Sequence, residues 1–175
     1  DLEEFRKYQE AARDHIRLLT VAPEFDGVLP LIQHCAANDI VVSLGHHNGT
    51  AEQIEAAVNA GASLITHLGN GCANMIHRHN NPLWPQLAED RLSASIIVDG
   101  FHLNKEEVQT FYKVKGDALT ILVSDAVDLA GLPPGEYQRW GGTVELTPDV
   151  VKFPAENVLA MVDAVEKYGR YPIKD

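Results

Sequence analysis

Four short apolar runs, each closing on a polar side chain, constrain this chain more than anything else in it. They read Val41-Val42-Ser43-Leu44-Gly45-His46, Ser63-Leu64-Ile65-Thr66-His67, Ser95-Ile96-Ile97-Val98-Asp99-Gly100-Phe101-His102 and Thr120-Ile121-Leu122-Val123-Ser124-Asp125. Each has the length of a strand and is rich in Val, Ile and Leu. A helix-like stretch follows each of the first three. Parallel strands need crossovers of that kind, because consecutive strands must start from the same end of the sheet. An α/β barrel builds its active site from polar residues at the C-terminal ends of such strands. The runs therefore say where a site would be and what it would contain: imidazoles and a carboxylate.

The chain's 175 residues suffice for one domain with a sizeable core. A net charge of −11 argues against nucleic acid or an anionic membrane as partner, since both reward basic patches. No apolar run approaches the length of a membrane span. The start, Asp1-Leu2-Glu3-Glu4, lacks a signal-peptide pattern and an initiator Met, and reads as a cut made upstream. Cys35 and Cys72 form no disulfide framework, so two reduced thiols in a cytoplasmic protein are expected.

Along the chain, Leu2 to Leu18 reads as a surface helix and Leu19 to Glu24 as a proline-broken strand. Val28 to Asn38 reads as a second amphipathic helix. Thr50 and Gln53 form a capping-box signature for a helix over 51–60, stopped by Gly61. Asn104 caps a helix that Gly116 ends. After Asp125 the pattern changes: a Pro/Gly-rich loop leads to two β-like segments flanking Pro148-Asp149, a hairpin signal. A helix is expected from Asn157 to Tyr168. Five strands in parallel rhythm fall short of the eight, and about 250 residues, of a closed barrel. The expected architecture is a contiguous but incomplete portion of one.

Several side chains carry possible chemistry. Neighbouring parallel strands lie about 5 Å apart, so His46 and His67 can meet at one metal ion, or each can hydrogen-bond locally. Asp125 ends an apolar strand, where a carboxylate can shuttle a proton beside a metal or simply cap the next turn. Arg78 suits a planar anion through paired contacts, or a surface ion pair. His47 should point away from His46. His77 and His79 sit in a polar loop that favours solvated rings, and His15 and His34 read as structural.

The segments Thr20-Val21-Ala22-Pro23-Glu24, Ser43-Leu44-Gly45-His46-His47-Asn48, Ile65-Thr66-His67-Leu68-Gly69-Asn70, Val98-Asp99-Gly100-Phe101-His102 and Val123-Ser124-Asp125-Ala126 occur in this order. In that order they resemble the N-acetylglucosamine-6-phosphate deacetylase family of the amidohydrolase superfamily, over roughly Thr20 to Pro154. The resemblance implies metal ligands at His46 and His67, a catalytic acid/base at Asp125, and substrate contacts at Asn70, Gly71, Arg78 and His102. It implies a divalent metal, zinc first, with iron or another divalent ion as the other option. It also implies a phosphorylated amino sugar as substrate and a homodimer in the intact protein. The fold it implies is α/β: the C-terminal portion of a metal-dependent (β/α)8 TIM barrel over 1–140, then a hairpin of a small β-sandwich over 141–154. Residues 155–175 are expected to form a C-terminal helix, and Met161 to Asp175 has no counterpart in the family.

The chain departs from the family pattern in places. No Leu-Glu-Gly-Pro segment supplies the family's first metal ligand. Leu68-Gly69-Asn70-Gly71-Cys72 stands in place of Leu-Tyr-Asn-Ala-Met, and His79-Asn80-Asn81 follows Arg78 in place of Glu-Pro-Gly. A different amidohydrolase, such as a D-amino acid deacetylase in which Arg78 meets a carboxylate, and a non-catalytic fragment are the alternatives.

Overall fold

The computed structural model describes residues 1–139, 141–148 and, as backbone only, 151–152. Its helices begin where the sequence supplies a cap. Helix α1 (Leu2–Ala11) opens on Asp1, whose carboxylate accepts the Glu4 N–H at 2.9 Å. Helix α2 spans Val28–Ala36. Thr50 and Gln53 close a reciprocal capping box on α3 (Ala51–Ala60), and Gly61 ends it at φ 119°, a conformation that favours glycine. Helix α4 is a short turn, Leu83–Ala88, inside what reads from sequence as loop. Asn104 and Glu107 form a second capping box on α5 (Lys105–Leu119). Each such cap contributes about 1 kcal/mol. Gly116 breaks the helical path of α5 at φ 66°, close to where the sequence stops the helix.

The strands are β1 (Leu18–Val21), β2 (Val41–Leu44), β3 (Leu64–Ile65), β4 (Ser93–Ile97) and β5 (Thr120–Val123). All neighbours pair in parallel, in the order β1-β2-β3-β4-β5. A parallel sheet whose spatial order equals its chain order is the arrangement of a (β/α)8 barrel; doubly wound sheets reverse at a switch point. The helices pack in the same sequence, α1 on α2, α2 on α3, α3 on α4 and α4 on α5. Between helices and sheet lies the core, built on Ile32, Val42, Leu44, Ile54, Ile65, Leu92 and Ile96, all nearly inaccessible to water. Burying side chains of this kind stabilises the unit by about 1.5–3 kcal/mol each.

The chain divides into two compact units, one ending at Asp125 and one following it. The boundary expected at 140 therefore falls at 125. The physical reason is pairing: the last parallel pair ends at Val123, and among the described residues β6 (Gly135–Arg139) pairs only with β7 (Gly142–Leu146). Strand β6 lies in a stretch whose sequence gives no alternation to betray it. In the second unit β6, β7 and β8 (Val151–Lys152) form an antiparallel sheet in that order. The arms of the hairpin expected around Pro148-Asp149 pair as β7 and β8, with Leu146 opposite Val151. The helix expected over 155–175 lies outside the described residues. No helix among the described residues is long and apolar enough to cross a membrane.

Candidate active site

Three of the six non-glycine residues with a left-handed backbone among the described residues stand at strand ends, and they are His46 (φ 52°), His67 (φ 31°) and Asp125 (φ 50°). Such a conformation costs an L residue about 1–3 kcal/mol and persists only where surrounding contacts enforce it. Here it turns each side chain off the line of its strand.

The contacts that enforce it are visible. At the end of β3, His67 N–H donates to Ser95 Oγ at 2.7 Å, and Ser95 Oγ–H donates to Ile65 O at 3.0 Å. Leu68 N–H donates to Ser95 O at 2.8 Å. Buried Ser95 on β4 thus grips the backbone on both sides of His67. One layer below, the hydroxyls of Thr20, Ser43 and Thr66 meet across β1, β2 and the end of β3, at 3.0 and 2.6 Å. The space there is tight: a Cβ on Gly45 would stand 2.7 Å from Thr66 Cβ and 2.8 Å from Thr20 Cγ2.

His46 and His67 converge. Their Nε2 atoms are 2.9 Å apart, with ring centroids at 4.6 Å and the planes nearly perpendicular. Nitrogens so placed can share one proton. They can equally share one divalent cation, since two ligands about 2.0–2.1 Å from a tetrahedral zinc stand roughly 3.3 Å apart. Burial pushes the His67 imidazolium to a lower pKa, with the ring's own backbone and Asp125 opposing and His46 and His102 adding to the fall. A ring held neutral by burial is the form a metal requires. His67 Nδ1 is buried with no hydrogen-bond partner among the described residues. The donor set suits a metal as far as it goes, but no group of three or more His, Cys, Asp or Glu gathers as a ligand set among the described residues.

Asn70 and Gly71 close the turn behind the pair. Asn70 N–H and its side-chain amide both donate to His67 O, at 2.9 and 3.3 Å. Gly71 lies against His46 so closely that a Cβ there would stand 2.7 Å from His46 N. Asp125 and His102 both act electrostatically on His67.

Arg78 is different. It is exposed, and no hydrogen bond or ion pair engages its guanidinium among the described residues. Its carbonyl accepts the Trp84 indole N–H at 3.0 Å, which ties the loop to α4. A cavity of about 490 Å³ opens between the loop after β2 and the segment from Ala73 to Pro85. Its lining includes Asn48, Glu52, His77 and His79 but neither Arg78 nor the histidine pair.

His47 has partners of its own. It is buried, accepts Gly49 N–H at Nδ1 (3.2 Å), and is kept neutral chiefly by burial, against Glu24 and a hydrogen bond with Gln86. Glu24 accepts Asn48 N–H at 2.9 Å, and Asn48 Oδ1 accepts Ala73 N–H at 2.9 Å, so the loops after β1, β2 and β3 are tied in series. Sequence reasoning assigned no role to Ser95, Glu24 or Asn48. A serine inside an apolar strand was the one available signal.

No protein-family model matches the chain. It is 35% identical over 147 residues to an N-acetylglucosamine-6-phosphate deacetylase of Lysinibacillus sphaericus, covering 84% of this chain and 38% of that protein. It is 31% identical over 137 residues to an N-acetylgalactosamine-6-phosphate deacetylase of Escherichia coli O157:H7, covering 78% of this chain and 36% of that protein. Among solved structures, the N-acetyl-D-glucosamine-6-phosphate deacetylase of Mycobacterium smegmatis, in complex with N-acetyl-D-glucosamine-6-phosphate, matches with TM-score 0.81 at 26% identity. That match covers 89% of this chain and 41% of the other. The chain thus spans little more than a third of the length of the curated relatives it matches. Over the stretch it shares with them, the chain is similar to N-acetylglucosamine-6-phosphate deacetylases.

Proposed function

We propose that this chain carries the strand-end machinery of a metal-dependent deacetylase that removes the acetyl group from N-acetylglucosamine 6-phosphate, yielding glucosamine 6-phosphate and acetate. The observation that carries the reading is the 2.9 Å approach of His46 Nε2 to His67 Nε2 at adjacent strand ends, with the Asp125 charge acting on His67. His46 and His67 would hold a divalent cation, zinc first. Bound there, the metal supplies Lewis acidity that makes water a nucleophile near neutral pH.

Asp125 is the acid/base of this reading. Its carboxylate takes a proton from the attacking water and returns it to the amine as the amide C–N bond breaks. The backbone turn at φ 50° aims it away from its strand for that task. Asn70, Gly71 and His102 shape the wall against which the acetamido sugar lies, and Arg78 takes the phosphate. Free Cys35 and Cys72 fit the reducing cytoplasm in which amino-sugar catabolism would run. Action as a homodimer rests on the family resemblance alone.

A second reading has its own support: relatives at 31% and 34% identity are N-acetylgalactosamine-6-phosphate deacetylases. The two sugars differ in one hydroxyl configuration. Acetate release from both 6-phosphates by the intact, zinc-loaded protein decides between them through the ratio of kcat/KM. No release from either would overturn the proposal and leave a non-catalytic metal-binding protein.

A further inference from the structure

Beyond β4 the chain folds back around one carboxylate. Asp99 Oδ1 accepts the N–H groups of Phe101 (2.8 Å) and His102 (3.0 Å), while Oδ2 meets His102 Nδ1 at 2.6 Å. Gly100, at φ 81°, supplies the left-handed residue this turn needs. Two residues past His102, Asn104 caps α5, so the turn is fixed to the helix as well as to the strand. Backbone N–H groups from His102 and Phe101, and then the His102 ring, hold the Asp99 carboxyl down at about 2.

An ionised carboxylate only accepts hydrogen bonds. The proton in the 2.6 Å contact therefore sits on His102 Nδ1. When the ring is neutral, its one N–H is then committed to Asp99, and Nε2 carries the free lone pair. His102 follows β4, at the same end of the parallel sheet as His46 and His67, and its charge acts on His67.

We propose that Asp99 is a positioning residue of this site: it fixes His102 as the Nδ1–H tautomer, so that Nε2 accepts a hydrogen bond from an N–H or O–H of the bound acetamido sugar. The inference rests on the deacetylase reading for its ligand, but its tautomer claim stands on the Asp99 geometry alone. A mere turn-former would need only Oδ1. The Oδ2 contact with the ring adds nothing to the turn and everything to the ring's protonation.

Asp99→Asn separates the two roles. The amide oxygen still accepts the backbone N–H groups, while the amide NH2 now faces Nδ1 as a donor. The ring must then accept there and carry its proton on Nε2. Nitrogen-15 NMR of the intact protein with labelled histidine reads the tautomer directly. The wild type should show Nδ1–H for His102, and Asp99→Asn should switch it to Nε2–H. With N-acetylglucosamine 6-phosphate, kcat/KM of Asp99→Asn should fall about 10–100-fold, the usual cost of losing a partner that orients a histidine. Zinc content should stay unchanged. A wild-type His102 found as Nε2–H overturns the inference whatever the activity, and so does Asp99→Asn with wild-type kcat/KM. An inactive wild type with His102 as Nδ1–H would instead remove the deacetylase reading and leave the tautomer assignment standing.

Discussion

His46 Nε2 and His67 Nε2 face each other across 2.9 Å, although 20 residues and a whole helix separate them in sequence. The parallel pairing of β2 with β3 makes the meeting unavoidable: Leu44 lies opposite Ile65, and the two histidines follow each by two residues. If the pair binds a divalent metal, His46→Ala or His67→Ala should weaken binding by more than the about 10–100-fold that losing an outer partner costs. Metal analysis of purified wild type and variants after dialysis against a weak chelator checks this. Equal metal content in all three would rule out a shared site.

Asp125→Asn should leave metal content intact and lower kcat by about two to four orders of magnitude, the range of general acid–base catalysis. The variant keeps the size of the side chain and loses its ability to take a proton. Turnover near that of the wild type would exclude Asp125 from the mechanism.

The strand ends were legible in sequence because they follow from a local signal, a Val/Ile/Leu run that stops at a polar residue. The capping residues Thr50 and Asn104 were legible for the same reason, since a cap acts within three residues. What supports the histidines was not. Ser95 reads as one more polar residue in a strand until β4 is laid beside β3 and its hydroxyl falls between His67 N and Ile65 O. The Thr20–Thr66–Ser43 hydroxyl row spans 46 residues of sequence and exists only in the sheet. Strand β6, Gly-Glu-Tyr-Gln-Arg, is mostly exposed and lacks the alternation that betrays a half-buried strand. Arg78 matched a family spacing, and no hydrogen bond or ion pair engages its guanidinium among the described residues.

Arg78 therefore gives a sharp test of the phosphate assignment. If its guanidinium binds the 6-phosphate in both ground and transition states, Arg78→Ala should raise KM with little change in kcat. Loss of one charge-assisted contact, about 1.5–3 kcal/mol, corresponds to a KM increase of roughly 10–150-fold. Unchanged KM for the phosphorylated sugar would assign the loop to structure alone.

Acid should act on the Asp99 turn in a defined direction. Its carboxyl titrates near 2 in the folded protein against an ordinary 3.8, so folding favours the ionised form. The stabilisation is present in full above 3.8 and is lost as pH falls through about 2. The side chain is over a third exposed, so solvent screens the effect and its size is modest. Thermal melts of wild type and Asp99→Asn should differ near neutral pH and converge as pH approaches 2. A gap that persists at that acidity would place its cause outside the ionisation of Asp99.

Gly71 offers the cleanest steric test of the pair. A Cβ at this position would stand 2.7 Å from His46 N, 3.0 Å from His46 Cα and 3.1 Å from His67 Cε1. Two of these three atoms are backbone, so no rotamer change relieves the clash. His46 is already in a left-handed conformation and has little room to yield. Gly71→Ala should cost about 1–3 kcal/mol, the usual penalty of overpacking, and should shift the two rings relative to each other. Gly135→Ala is the control: the nearest atom to its added Cβ is Tyr137 Cε2 at 3.9 Å. That change should stay within about 0.5 kcal/mol. Metal affinity and thermal stability measured together settle the matter. Both should fall in Gly71→Ala and neither in Gly135→Ala, whereas a Gly71→Ala protein with wild-type metal affinity would show that the pair does not depend on this close approach.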